Sequence, residues 1–166
     1  MAKKVYVDCV LEWAKLNENN RDMGKRDGSD VANKLEEIQG QYVVNCVIDQ
    51  ATKSEMVAKG IPNKGMQAQL FKETNDGRMY YKAKRPHFNP KLTDQQTGQP
   101  GVVMGAPKIY KQVDGSLVEW DWDEDGLIGN GTTATVKFDV WDNKIVTLEA
   151  IKILDHVKYE VQEAAF

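Results

Sequence analysis

The sequence predicts a mainly β domain, an antiparallel barrel or sandwich carrying one or two short helices. Three observations carry that expectation. Roughly eight short segments alternate apolar and polar residues with the period of two that a half-buried strand requires. Turn signals separate them, at Asn75-Asp76-Gly77, Asp114-Gly115, Gly129-Asn130-Gly131 and Asp142-Asn143. The strand–helix–strand alternation that builds a parallel sheet is missing.

Val5 to Trp13 places Val5, Val7, Cys9, Leu11 and Trp13 on one face and Tyr6, Asp8, Val10 and Glu12 on the other, a strand with one buried side. Asn17 to Asp30 reads as an exposed polar loop. Its cations Arg21, Lys25 and Arg26 are offset by Glu18, Asp22, Asp27 and Asp30, so it receives no function. Val31 to Gln39 predicts a short helix ended by Gly40. Tyr42 to Ile48 is β-branched and apolar, a central strand. Ala51 to Lys59 is helical, with Thr52 as cap, Glu55 as its capping-box partner, and Gly60 and Pro62 as the stop. A strand running straight into a helix implies that the helix packs on or closes a sheet. Gln67 to Glu73 alternates again, and the Asn75-Asp76-Gly77 turn joins it to Met79–Lys84 as a hairpin, which puts Lys72 near the basic face of its partner strand.

After Lys91 a polar loop, LTDQQTGQPG, precedes short strands at Val102 to Met104 and Lys108 to Gln112. Leu117 to Trp122 returns, with Ile109 and Leu117 expected in the core. Asp121, Asp123, Asp125 and Gly126 match the start of a calcium loop. The twelfth position is Thr132 instead of Glu, and no helix pair flanks it, so an exposed acidic loop is the expectation. Thr132 to Trp141 points Ala134, Val136, Phe138 and Val140 inward. Asp142-Asn143 turns the chain into a last strand, Lys144 to Val161.

The functional signal is concentrated in Arg78 to Pro90, RMYYKAKRPHFNP, which interleaves cations with aromatic rings and holds no acid. On a strand, Arg78, Tyr80, Lys82 and Lys84 share one face, while Met79, Tyr81 and Ala83 form a core face. Cations neutralise phosphates and rings stack on bases, so such a face suits single-stranded nucleic acid. The alternative is a half-exposed strand with solvated cations. Tyr110, between Lys108 and Lys111, forms a second basic–aromatic cluster.

Bulk numbers set limits. The 166 residues, 41% hydrophobic, fit one domain over 1–160 with a short tail at 161–166. No apolar run reaches the ~18 residues of a membrane span, and the MAKK start precedes too short an apolar segment for a secretory signal. A cytoplasmic protein with no membrane partner is expected. Cys9 and Cys46 form no CxxC pair, and His87 and His156 are the two histidines, so no metal site and no cofactor are expected. The formal net charge of −3 hides a segregation: residues 1–112 carry +5 and residues 113–166 carry −8. A basic surface on an acidic chain can still hold phosphate.

Among small barrels, the OB-fold combines strand-face aromatics, basic loops and a helix between strands. The chain also resembles the single-stranded DNA-binding proteins of short-tailed phages, the T-seven type. The resemblance runs through MAKK and its strand, YVVNCVID and the helix after it, NDG and the basic–aromatic strand ending at Phe88, GLIGNGTTATVKFDVW, and IVTLEAIKILDHVKYE. It implies an OB-fold that coats single-stranded DNA without sequence preference in phage replication and recombination, in the host cytoplasm. By position it carries DNA contact onto Lys3, Lys82, Lys84, Lys137 and the aromatics around Phe88 and Trp141. The family's acidic tail, which ends in Phe, supports a homodimer and recruits polymerase and helicase. This chain ends in Phe166, with Glu160 and Glu163 as the two acids among its last seven residues, so that part of the resemblance is thin.

The expected interface therefore has Arg78, Lys82, Lys84, Arg85 and Lys137 on phosphates, Lys3 at the start of the chain, and Tyr80, Phe88, Tyr110 and Trp141 stacking on bases. The rival is a non-enzymatic virion or assembly adaptor with no nucleic-acid binding. An enzyme is not expected, because the sequence shows no Walker loop and no Ser-His-Asp set. RNA is an open alternative to DNA, since stacking and phosphate contact do not discriminate at the 2′-OH.

Overall fold

Residues 2–24 and 35–159 are described by a computed structural model. The strands are β1 (Ala2–Lys15), β2 (Gln41–Ile48), β3 (Phe71–Glu73), β4 (Met79–Pro86), β5 (Phe88–Thr93), β6 (Pro100–Val103), β7 (Lys108–Val113), β8 (Ser116–Glu119), β9 (Thr132–Trp141) and β10 (Ile145–Asp155). Helix α1 (Gln50–Ala58) follows β2. The protein is mainly β, as its alternation predicts. Eight strands form one mixed sheet in the order β3-β4-β2-β1-β9-β10-β7-β8, and β5 and β6 form a separate two-stranded arm. Neighbours are antiparallel except β10 and β7, which run parallel.

The sheet is curled so that its inner faces meet. Val5, Val7 and Leu11 of β1, Val44 and Cys46 of β2, Tyr81 and Ala83 of β4, and Ala134, Val136, Phe138 and Val140 of β9 are buried in one core. The Tyr81 ring meets Phe138 edge-on, with centroids 5.5 Å apart, although two strands separate β4 from β9 in the sheet. The curl also brings β4 to β10. They share no strand pairing, and a depression of 190 Å3 lies between them, lined by Tyr81, Lys82, Lys84, Ile145 and Val146 among others. A barrel closed by strand pairing is therefore not formed.

Helix α1 is capped by Asp49, whose Oδ1 accepts the Thr52 amide at 2.7 Å. This corrects the expected Thr52 cap: Asp49 is extended directly after β2, so its short carboxylate reaches the first turn. The helix stops at Gly60 as predicted. The amides of Gly60 and Ile61 donate to Val57 and Met56 carbonyls, and the positive φ of Gly60 (116°) is the left-handed geometry that glycine favours. Met56 and Ile61 are buried in the main core. Gly40 also ends a helical turn as expected, its amide donating to Leu35 O at 2.7 Å; Val31 to Lys34 lie outside the described residues.

Several sequence expectations are corrected. Gln67 to Glu73 is not one strand: Gly65–Leu70 is a 3-10 helix and β3 covers Phe71–Glu73 alone. Leu117 is exposed, because β8 is the sheet edge and all four of its residues face solvent. The polar stretch after Lys91 is the turn of the β5–β6 arm, held by Asp94, whose Oδ1 accepts the Gln96 amide. The last strand ends at Asp155. Trp13, expected inside, is 68% exposed with φ at 53°, because the β1–β2 register slips between Glu12 and Lys15. Such a bulge turns every later residue to the other face. Cys9 and Cys46 are free, buried thiols. No helix among the described residues is long and apolar enough to cross a membrane.

The Tyr81 hydroxyl is buried without a hydrogen-bond partner among the described residues, and burial pushes its pKa upward. An unpaired buried hydroxyl costs stability. Tyr81→Phe is expected to keep the ring stack on Phe138 and to stabilise the fold by about 1 kcal/mol in a urea titration. A loss of stability would show that the hydroxyl is bonded after all.

Candidate nucleic-acid interface

Strand β4 sorts its side chains by alternation. Tyr81 and Ala83 enter the core, so Tyr80, Lys82 and Lys84 face outward. Pairing fixes their neighbours. Lys72 of β3 lies opposite Tyr80. Lys82 lies opposite Asn45, and Lys84 opposite Val43, which is in turn opposite Lys15 of β1. The result is an outward face that spans four neighbouring strands, with Lys72 on β3, Tyr80, Lys82 and Lys84 on β4, and Lys15 on β1 beyond β2. Lys15 is the member that sequence reasoning missed, since strict alternation puts it on the core side and only the bulge at Trp13 brings it out.

Several cations of the chain are paired with acids. Arg78 Nη1 lies 2.8 Å from Glu12 and its Nε 3.0 Å from Asp76. Lys4 Nζ lies 2.8 Å from Glu149, and Lys111 Nζ lies 2.5 Å from Asp125. Among the described residues, Lys72, Lys82, Lys84 and Lys15 make no such ion pair. Burial, then the charges of Lys82 and Lys72, lower the pKa of Lys84 below the ordinary lysine value, with Asp22 opposing. Asp22 sits at the margin of the face. Partial burial raises its pKa, but bonds from Gln41 and Gly24 and the charges of Lys15 and Lys82 outweigh that and hold it low. The face thus keeps positive charge packed together, an arrangement that a bound anion would relieve.

The remaining residues expected at the interface scatter. Arg78 sits just before β4, where it neutralises Glu12, the acid that shares the register row of Lys82. Arg85 has the parity of Tyr81 and Ala83, and its guanidinium is taken up by carbonyls: Nε donates to Gly105 at 2.9 Å, Nη2 to Met104 at 2.9 Å and Nη1 to Leu148 at 3.3 Å. It ties β4 to β10 and to the segment after β6. Phe88 belongs to the β5–β6 arm, and its ring tip lies so close to Gly101 that a Cβ there would come within 2.2 Å. His87, part of the same basic–aromatic stretch, is buried, its Nδ1 2.8 Å from the Tyr42 hydroxyl. Burial and nearby Arg21 lower its pKa, so it stays neutral at pH 7.

Trp141 is 49% exposed and pairs with Ile145, which lines the same depression as Lys82 and Lys84. Lys137 lies outward on β9, 3.9 Å from Glu149 and over the Tyr6 ring at 5.8 Å. Tyr110 lies on β7 beside Lys152 and opposite Glu119, beyond β10 from the β4 face. Lys3 donates to Asn143 Oδ1 at 3.3 Å, at the β9–β10 turn. The structure therefore gathers Tyr80, Lys82 and Lys84 on one face and sets Trp141 on the other side of the seam, next to Ile145. It leaves Lys3, Lys137, Tyr110 and Phe88 around the periphery and uses Arg78 and Arg85 internally.

The acidic loop is bonded to itself. Asp121 Oδ1 accepts the amides of Asp123 and Glu124, and Asp125 accepts the Asp121 amide and the Lys111 ammonium. These bonds suffice to explain its sequence, and no group of three or more potential metal ligands occurs among the described residues. No protein-family model matches the sequence, and no curated protein matches it either.

Proposed function

We infer that the chain binds single-stranded nucleic acid, DNA by its resemblance, along the outer face of β4 and β2, without sequence preference. The observation that carries this reading is the set of Lys72, Lys82, Lys84 and Lys15, unpaired among the described residues and placed around Tyr80 on one sheet face. Phosphates would lie along the lysines and bases would stack on Tyr80 and Trp141. The role is coating of single strands in phage DNA replication and recombination. Polymerase and helicase are the proposed partners, and a homodimer the proposed assembly.

An OB-fold reading is supported by the five central strands. Their order, β4-β2-β1-β9-β10, returns β4 towards β10 as in a partly open five-stranded barrel. In such barrels the face of the second and third strands binds oligonucleotides, between the loops that follow the first and fourth. Here those strands are β2 and β4. The loops are the connection between β1 and β2 and the turn Asp142–Lys144.

Tyr80→Ala and Trp141→Ala are each expected to weaken binding to labelled poly-dT by about 1–3 kcal/mol while leaving the salt slope unchanged. Anisotropy titration of each variant tests the site. Parent-like affinity in both would remove the β4 face from the reading.

A further inference from the structure

A second aromatic cleft lies at the far end of the basic face. It has a volume of 460 Å3 and lies between the bulge of β1 and the segment before β9, with Trp13, Lys15, Asn17, Trp122, Asn130 and Tyr159 in its walls. The volume is in the range of small-molecule sites.

Trp13 is the feature that calls for explanation. An exposed indole at a left-handed φ of 53° is an outlier for a bulky residue. It is held there by its own amide, which donates to Asn130 Oδ1 at 2.8 Å, a bond that spans 117 positions of sequence. Strained backbone that long-range contacts maintain clusters at binding sites. Trp122 adds a second indole, packed edge-on against buried Trp120 at 6.5 Å.

The chemistry of the lining selects the occupant. Asn17 and Asn130 present carbonyl oxygens to the backbone amides of Asn19 and Trp13, so their NH2 groups are the donors left to an occupant. Among the described residues no carboxylate lines the cleft, although Asp121, Asp123, Glu124 and Asp125 flank Trp122 in the chain. Its charged side chain is Lys15, whose register row leads through Val43 to Lys84. Flat apolar walls, amide donors and a cation continuous with the lysine face match one nucleotide: a base with acceptor atoms on its edge and a phosphate at its rim.

We propose that this cleft is a base-stacking subsite, with Trp13 as its ring and Lys15 as its phosphate contact, where the single strand leaves the β4 face. The proposal rests on the single-strand reading. It adds a polarity to the path, from the seam at Trp141, over Lys82 and Lys84, to Trp13.

Trp13→Gly is the decisive variant, because glycine suits the left-handed backbone and removes the ring without adding strain. Trp13→Phe keeps a ring as the rescue. Anisotropy with fluorescein-labelled dT20 is expected to show Trp13→Gly binding about ten- to a hundredfold more weakly, with Trp13→Phe close to the parent. The salt slope of Trp13→Gly should match the parent's, because a ring neutralises no phosphate. If the parent binds and Trp13→Gly matches its affinity, the subsite is overturned and the β4 face stands. A salt slope reduced by a full unit in Trp13→Gly would likewise overturn the stacking role. A parent that fails to bind at low salt overturns both.

Discussion

Lys84→Met is expected to bind single strands about tenfold more weakly than the parent and to be more stable. Both effects come from one environment. Lys84 is half-buried beside Lys82 and Lys72 and has no carboxylate bonded to it among the described residues, so its charge is held at a cost. Methionine keeps most of the packing and removes the charge, for a gain on the order of 1 kcal/mol, or about 2–4 °C in Tm at this chain length. The pH dependence carries the same sign. The unfolded chain keeps the ordinary lysine pKa and the folded chain a lower one. Between the two values the unfolded state holds more protons, so stability rises with pH through that window. Strand affinity falls over the same window as the charge is lost. Lys84→Met should show neither trend from this position. Calorimetry and anisotropy on one preparation check both. A variant that is less stable and binds like the parent would make Lys84 an ordinary packed side chain.

Arg85→Ala is expected to destabilise the fold by about 3 kcal/mol, the larger of the two effects on stability. Its three hydrogen bonds end on main-chain oxygens of Met104, Gly105 and Leu148, which only a planar fork can reach together. Arg85→Lys can replace one of them and should recover less than half of the loss. Urea titration of the two variants measures this. The opposite pattern, unchanged stability with a salt slope lower by about one unit, would return Arg85 to the phosphate path that its sequence context suggests.

The difference between Lys84 and Arg85 shows how far the sequence could be read. Both stand in one basic run and both were expected on phosphates, although Arg85 has the parity of the core residues Tyr81 and Ala83 and its guanidinium is bonded internally. What alternation does not contain is the curl of the sheet, which carries β4 to β10 and gives an inward arginine carbonyls to bind. The strand faces of β1, β4 and β9 were legible because each buries one side of a regular ladder. Trp13 was not, since its bulge depends on Asn130, far away in sequence. The same bulge hid Lys15. Phe88 was misplaced for a related reason: Pro90 argues against a central strand, and the segment instead forms a hairpin arm of its own, where proline is tolerated.

The central claim is that the lysine face holds single strands. Fluorescence anisotropy of labelled dT oligonucleotides, single-stranded against duplex across a salt series, tests it most directly. The account predicts tight single-strand binding that falls linearly in log salt, a slope of about −0.7 per phosphate contacted, and much weaker duplex binding. No binding at low salt would contradict it, and would leave the four lysines as a solvated sheet face on a protein of a different kind.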